Sequence, residues 1–343
     1  SDDPIRVFQR FSTLDAASNG RAEVILGRGS FTESFPLFGF DLNDYEKLFE
    51  EKLDLFAALL PQQEVSWQGS VRPPLDKQRV YPPIERGTLK TWIGVGGSPQ
   101  SVVRAAHYGL PLMLAIIGGD PQRFHPYVDL FHRALNEFKK PALPIGVHSP
   151  GHVADTDEQA REDLWPCYKR MHDRIGAERG WPPMGRDEFE QEVARGSLYL
   201  GSPETVARKI AATAKGLGIA RFQLKYSAGP LEHEKAMECI RLYGEKVVPL
   251  VREMLGQGAG RAPAPRRLFL LPDGRRWPGG PDEGPPSSPR AQRRRSVSTI
   301  NGRPSPLPLS HPGEGFHAPV IDAAAHPATF NGSTESVRFS ALR

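Results

Sequence analysis

Two short apolar segments of this chain each end in glycines beside a cationic or hydroxyl side chain. Residues 22–30 (AEVILGRGS) place Arg28 between two glycines, and residues 91–99 (TWIGVGGSP) end in a Gly-Gly-Ser-Pro run. Each pattern predicts a buried strand whose carboxyl end opens into a loop. Phosphorylated ligands bind at that end of the strands in α/β proteins. The two junctions therefore predict an anion site, and its candidate ligands are Arg28, Gly97, Ser98 and Ser101.

The Gly-Ser-Pro run also has a purely structural interpretation. Serine is a favoured N-cap and proline suits the first helical position, so Ser98 and Pro99 can simply begin a helix. The same Gly-Ser-Pro run occurs at residues 201–204 (GSPE), where Glu204 in the first turn would repel a phosphate. We expect the second copy to be a helix cap, whereas the first copy stays open between a cap and a phosphate site.

Two histidines near a further predicted strand end are weaker candidates for proton transfer. His148 and His152 lie in the segment PIGVHSPGHV, and histidines without a catalytic role are commoner than catalytic ones. Ile116 is an equally weak candidate for lining a pocket. The two cysteines, Cys167 and Cys239, match no metal-ligand spacing. The sequence contains neither a nucleophile elbow nor a dinucleotide-binding fingerprint.

The elements that must position these residues follow from apolar periodicity. Helices alternate with five predicted strands, which lie near residues 24, 92, 114, 146 and 223. The run LMLAII before two glycines is typical of a strand buried on both faces. The segments between them are predicted as a loop at 33–41, a hairpin arm at 65–69, a Pro-rich loop at 70–88 and a break in a long helix at 181–183. This order predicts βα units on a parallel sheet.

Composition divides the chain at about residue 256. The segment 256–343 has twelve arginines, no lysine and six acidic residues, which is a net charge of +6. Since the whole chain carries +4, residues 1–255 carry −2. Apolar periodicity ends at the same point, and the Pro-, Gly- and Arg-rich runs predict a disordered tail. A basic arm that binds nucleic acid is the alternative for this tail, although no aromatic spacing accompanies the charge.

Cysteine use and the lengths of the apolar runs bear on the cellular compartment. Two distant cysteines fit a reducing compartment without a disulfide framework. No run approaches the roughly 20 apolar residues that span a bilayer, and no basic-then-apolar signal segment opens the chain. We therefore expect a cytoplasmic protein without a membrane partner.

Four motifs occur in the order found in the bacterial luciferase-like, flavin-dependent monooxygenases. They are Gly27-Arg28-Gly29, residues 35–41 (FPLFGFD), residues 95–101 (VGGSPQS) and residues 201–204 (GSPE). Over residues 1–255 the chain resembles this family, which implies an α/β fold of the (β/α)8 TIM-barrel type. The resemblance implies that reduced FMN, or a deazaflavin in some branches, reacts with O2 and an organic substrate. It also implies a flavin reductase as a possible electron source, and a homo-oligomeric state in the intact relative.

The resemblance assigns roles to particular residues. It implies that Arg28 contacts the flavin phosphate, together with the two serine hydroxyls of the second junction. Two positions depart from the family pattern. Gly27 stands where the luciferases proper have a cysteine, and Tyr45-Glu46 stand about where a second phosphate-binding arginine falls. Both departures indicate a general luciferase-like oxidoreductase rather than a light-emitting enzyme.

The Gly-Arg-Gly strand resembles the fourth of the family's eight strands, yet it begins about twenty residues into this chain. Strands four to eight then match the five predicted strands. We therefore expect an N-terminally truncated, incomplete barrel without the first three strands and without the family's catalytic histidine. Two hypotheses follow: a flavin-dependent monooxygenase, or a non-catalytic remnant that binds flavin poorly or not at all.

Overall fold

The computed structural model describes residues 2–29 and 31–256. Its strands are β1 (Glu23–Leu26), β2 (Val65–Trp67), β3 (Leu75–Gln78), β4 (Lys90–Val95), β5 (Leu112–Ala115), β6 (Ile145–Val153), β7 (Tyr199–Gly201) and β8 (Arg221–Lys225). Its α-helices are α1 (Pro4–Ala17), α2 (Ser34–Leu37), α3 (Tyr45–Leu59), α4 (Pro99–Tyr108), α5 (His125–Glu137), α6 (Asp157–Arg179), α7 (Arg186–Ala194), α8 (Pro203–Leu217), α9 (His233–Leu242) and α10 (Val248–Met254). Short 3-10 turns precede α3 and α5, and one π-helical turn joins α9 to α10.

Six of the strands form one parallel sheet. Its order is β1-β4-β5-β6, and the second edge of β6 pairs with β8 and then, nearer its carboxyl end, with β7. The five strands predicted from periodicity are confirmed, and β7 is an addition. At three residues β7 is too short for a periodic pattern, and it forms because it pairs with β6. Strands β1 and β4 are therefore neighbours, and their carboxyl ends lie side by side.

The helices cover one face of the sheet and leave the other concave. Alternate strand residues such as Val24, Ile93 and Val147 are buried in one cluster with Phe8 of α1 and Phe131 of α5. The residues between them point to the opposite face, as the two-residue period of a strand requires. In the part of the chain described, β1 and β8 each pair on one side only, so the sheet is a curled half-barrel.

Two segments predicted as loops contain regular structure. The segment 33–41 includes the single-turn helix α2, and the Pro-rich segment 70–88 includes β3. Strand β3 forms because it pairs antiparallel with β2, which confirms the predicted hairpin arm. The predicted break in the long helix is also confirmed, since α6 ends at Arg179 and Gly180 follows with a φ of 72°.

The predicted disordered tail at 256–343, and its possible role as a nucleic-acid-binding arm, lie outside the described residues apart from residue 256. Within the described part, no helix is both long enough and apolar enough to cross a membrane.

Candidate functional site: an anion site at two strand ends

The two strand–glycine junctions lie next to each other at the carboxyl edge of the sheet. Leu26 is the register partner of Ile93 in parallel pairing, so the segments after β1 and β4 leave the sheet together. Gly97 follows β4 with a φ of 137°, a backbone conformation that residues with a Cβ rarely adopt. A Cβ at Gly97 would meet only the Tyr127 hydroxyl, at 3.8 Å, so the backbone here faces open space.

Helix α4 begins with a pair of serine hydroxyls. Ser98 is the N-cap, and its Oγ accepts the backbone N–H of Ser101 at 3.3 Å, so the predicted cap is confirmed. The Ser101 hydroxyl donates to the same oxygen at 3.3 Å and is almost fully buried. Pro99 contributes no N–H, and the cap uses that of Ser101. The Ser98 hydroxyl donates to Oε1 of Gln100 at 3.1 Å, so an anion would compete with that side chain for its proton.

Arg28 lies at the end of β1, but the structure pairs it with a carboxylate. Its Nη1 contacts Oε1 of Glu46, a first-turn residue of α3. The guanidinium also lies over the Tyr45 ring, 5.4 Å from its centroid, and the Tyr45 hydroxyl donates to the Gly29 carbonyl. Tyr45 and Glu46, which depart from the family pattern, are therefore the residues that hold Arg28.

Arg104 is a second cation at this site, and the sequence analysis missed it. Its Nη1 lies 3.5 Å from the Ser101 hydroxyl, and its Nη2 lies 2.5 Å from Oε1 of Glu50 and 3.5 Å from Oε2 of Glu46. Glu46 therefore connects Arg104 to Arg28. The spacing of three residues from Ser101 places Arg104 on the same face of α4, and that signal was available in the sequence.

The donor set at the two strand ends fits a phosphate group. Two guanidinium groups, two serine hydroxyls and the open backbone at Gly97 converge there, and such donors form strong, charge-assisted hydrogen bonds to phosphate oxygens. The acidic residues Glu46 and Glu50 of α3 pair with the two cations. The structure therefore brings Arg28, Gly97, Ser98 and Ser101 together at one edge of the sheet.

The second Gly-Ser-Pro run differs because a carboxylate already lies at its helix N-terminus. Ser202 caps α8 by accepting the N–H of Thr205. Asp157 accepts the backbone N–H of Ser202 at 2.6 Å and the Thr205 hydroxyl at 3.0 Å. Burial opposes ionisation of Asp157, but these hydrogen bonds outweigh it and lower its pKa. The expectation that this copy is a cap is confirmed.

The two candidate histidines lie in different surroundings. His148 is the register partner of Ala115 and Gln223, and it is half-buried on the concave face of β6. His152 is fully buried, with its Nε2 3.4 Å from Oδ2 of Asp163 on α6. Burial lowers the pKa of His152, although the Asp163 carboxylate works in the opposite direction.

Ile116 is fully buried in the cluster beneath the helices. It follows Ala115 and therefore points to the face opposite His148. Its neighbour Ile117 is exposed. Ile116 therefore packs in the core rather than against the concave face.

The concave face carries a groove of about 340 Å³. Its wall includes Glu23 on β1, Trp92 on β4, Met113 on β5 and Arg221 on β8. Burial opposes ionisation of Glu23, but hydrogen bonds from Arg221 and Trp92 outweigh it and lower the pKa of this carboxyl. Among the described residues, no group of three or more His, Cys, Asp or Glu side chains is arranged to hold a metal ion.

Comparisons with solved structures show that other proteins share this fold. The monooxygenase RslO1 from Streptomyces bottropensis is 19% identical, with a TM-score of 0.61 over 72% of this chain and 74% of that one. The oxygenating constituent of 3,6-diketocamphane monooxygenase from Pseudomonas putida, in complex with FMN, is 15% identical, with a TM-score of 0.57 over 73% and 76%. An F420-dependent secondary alcohol dehydrogenase with an F420–acetone adduct is 19% identical, with a TM-score of 0.56 over 73% and 75%.

No curated protein matches the sequence at a significant level. The sequence profile described as luciferase-like monooxygenase matches residues 1–221, which include both strand–glycine junctions and the second Gly-Ser-Pro run. The chain belongs to the luciferase-like monooxygenase family.

Proposed function

We propose that this protein is a flavin-dependent monooxygenase that holds reduced FMN by its phosphate at Arg28, Gly97, Ser98 and Ser101. The observation that carries the proposal is the convergence of these residues at two adjacent strand ends. Family membership supports the class of reaction. When bound, the reduced flavin would supply the electrons that activate O2 for attack on an organic substrate.

The residues of this chain would mainly bind the flavin and orient it. The Arg28 guanidinium would neutralise part of the phosphate charge, and the hydroxyls of Ser98 and Ser101 would donate to its oxygens. Gly97 would allow the phosphate to approach the backbone closely. His148 is a candidate for holding or moving a proton, because it lies on the concave face of β6, level with Ala115 at the carboxyl end of β5.

The loop after β1 is a candidate wall for an apolar substrate. Leu37 and Phe38 are exposed there, and a depression of about 670 Å³ lies against Phe35 and Phe40. Large exposed apolar side chains beside a cofactor site favour binding of a hydrophobic molecule. The family resemblance adds a flavin reductase as electron source and a homo-oligomeric state to the proposal, and the two free, distant cysteines add a cytoplasmic location.

Equilibrium binding of three flavins to the full chain tests the cofactor assignment. Titrations that follow flavin fluorescence would compare FMN, riboflavin and coenzyme F420. We expect FMN to bind at least about tenfold more tightly than riboflavin, because a charge-assisted phosphate contact is worth about 1.5–3 kcal/mol. Arg28→Met should remove that preference, whereas Arg241→Met on the surface of α9 should leave it unchanged. Equal affinities for FMN and riboflavin would refute the proposal.

The products of oxygen reduction separate the enzyme from the non-catalytic alternative. With NADH, a flavin reductase and FMN, the full chain should convert hydrophobic ketones or aldehydes into oxygenated products and lower the H2O2 formed per NADH, because free reduced flavin consumes the same O2 but releases H2O2. Phosphate-dependent FMN binding without any oxygenated product would favour a flavin-binding remnant.

A further inference from the structure

The Glu46 carboxylate lies between two arginines at the proposed phosphate site. Its Oε1 contacts Nη1 of Arg28, and its Oε2 lies 3.5 Å from Nη2 of Arg104. An anion that bridges two guanidinium groups makes the contacts that a phosphate would make with the same groups. Glu46 is half-exposed, at 54%, and belongs to the first turn of α3, so its side chain can move away into solvent.

The Arg104 side chain is mostly buried and is held in place by its neighbours. Its side chain is only 11% exposed, and its guanidinium lies over the Phe49 ring, 5.5 Å from the centroid. One nitrogen lies 3.5 Å from the Ser101 hydroxyl, which is itself buried at the start of α4. The packing on Phe49 and the contact with Ser101 hold the cation beside the two serine hydroxyls. Arginine suits both buried ion pairs and phosphate recognition, so a guanidinium held at this position can bind a phosphate.

We propose that Arg104 is a second phosphate-binding cation of this protein and that Glu46 occupies the phosphate position until the ligand displaces it. This inference rests on the proposed function for the identity of the ligand, and it adds a second cation and a competing carboxylate to the residues named there. Arg28 and Arg104 clamp the phosphate from the end of β1 and the second turn of α4. A ligand must compete with the single negative charge of the Glu46 carboxylate for the two arginines.

The competition selects a class of ligand. A phosphate monoester carries about −1.5 to −2 charges at neutral pH, whereas Glu46 and a phosphate diester carry one each. Exchange of Glu46 for a monoester therefore increases the charge that faces the two arginines, and exchange for a diester does not. The site thus favours a flavin with a terminal phosphate, such as FMN, over one whose phosphate lies within a diester, such as coenzyme F420.

Neutral variants of two glutamates separate competition from a general charge effect. Glu46→Gln removes the carboxylate that touches both arginines, and Glu50→Gln removes one that contacts Arg104 alone. Both glutamates lie on α3 with similar exposure, so the second variant is a matched control. We expect Glu46→Gln to tighten FMN binding about three- to tenfold, Glu50→Gln to change it about twofold or less, and neither to change riboflavin binding.

Two further measurements test Arg104 and the phosphate group directly. Arg104→Met should reduce the FMN affinity to that of riboflavin, while Arg241→Met should not. Inorganic phosphate should raise the thermal unfolding midpoint of Glu46→Gln more than that of the wild type, since stabilisation follows ligand affinity. The phosphate experiment does not depend on flavin or on activity, and the glutamate variants answer the question even if Arg104→Met fails to fold.

The outcomes distinguish this inference from the proposed function. If the wild type prefers FMN to riboflavin but Glu46→Gln and Glu50→Gln both leave FMN affinity unchanged, the assignment of Glu46 is overturned and the cofactor proposal survives. If Arg104→Met retains the full FMN preference, the role of Arg104 is overturned. If neither the wild type nor Glu46→Gln prefers FMN or responds to phosphate, both proposals fail together.

Discussion

An ion pair across the concave face connects the two outer strands of the half-barrel. Nη1 of Arg221 on β8 donates to Oε2 of Glu23 on β1 at 2.5 Å, although the residues are 198 positions apart. The indole N–H of Trp92 donates to the same oxygen at 2.9 Å, and the Arg221 guanidinium lies 5.6 Å from the centroid of that indole. We predict that Arg221→Met measurably destabilises the fold.

The expected loss of stability in Arg221→Met follows from the burial and the geometry of the ion pair. A hydrogen bond to a charged group contributes about 1.5–3 kcal/mol. Arg221 is 46% exposed, so solvent screening reduces this contribution. Glu23 is largely buried, and in Arg221→Met its carboxylate would keep only the hydrogen bond from Trp92 and the more distant ion pair with Lys90. We therefore expect Arg221→Met to lower the free energy of unfolding by about 1–2 kcal/mol.

Urea denaturation followed by tryptophan fluorescence measures this loss, and Arg241→Met is a matched control. Arg241 has the same exposure, at 47%, and contacts two carboxylates, Glu238 and Glu245, but all three lie within one continuous helical segment. Exposed pairs of this kind contribute little to stability. The control should therefore leave the urea midpoint nearly unchanged.

The pH dependence gives a second criterion. The pKa of Glu23 is lowered from 4.5, so its stabilising contribution is present above that pH and is lost as the pH falls through the lower folded-state value. The difference in stability between the wild type and Arg221→Met should therefore shrink below pH 4.5. Equal losses from Arg221→Met and Arg241→Met, or a difference that persists in acid, would refute the reasoning.

Three further predictions concern stability elsewhere in the fold. Lys209→Met should cost about 2–4 kcal/mol in urea titrations, because the ammonium donates to three backbone carbonyls in and after α7 at 2.6 to 3.2 Å, whereas the exposed Lys215→Met should cost little. Burial lowers the pKa of His152 from 6.5, so below pH 6.5 the unfolded state binds a proton more readily than the folded state. The urea concentration at half-unfolding should therefore decrease as the pH is lowered below 6.5, and His152→Gln should make this decrease less steep. Gly97→Ala should cost about 1–3 kcal/mol through backbone strain, and Gly201→Ala should lower the thermal midpoint further. Both glycines have a φ above 130°, but a Cβ at Gly201 would lie 2.6 Å from a carboxylate oxygen.

Local sequence signals predicted most of the regular structure. The Ser98-Pro99 start of α4 and the end of α6 before Gly180 depend on groups within a few residues, so cap and turn chemistry suffices to locate them. Strand β3 could not be predicted in the same way, because its residues are mostly exposed and polar. It exists only because its backbone pairs with β2.

The candidate site was predicted in part. Arg28 and the two serine hydroxyls stood out because glycine-rich strand ends are recognisable in sequence. Arg104 was missed because its role depends on the distance between α4 and α3, where it meets Glu46. In the sequence, Tyr45-Glu46 stand out only as a departure from the pattern of the family that the chain resembles, and no local signal shows that these two residues hold Arg28.

The sequence by itself determined the alternation of strands and helices, the two glycine junctions and the family to which they point. These features follow from side-chain periodicity and backbone conformation, which act over a few residues. Only the tertiary structure decided which charges meet. The contacts of Glu46 with two arginines, and of Arg221 with Glu23, depend on sheet register, helix packing and the curl of the sheet, which bring together residues 18 to 198 positions apart. Whether a carboxylate lies between the two arginines of the proposed anion site is therefore a property of the fold.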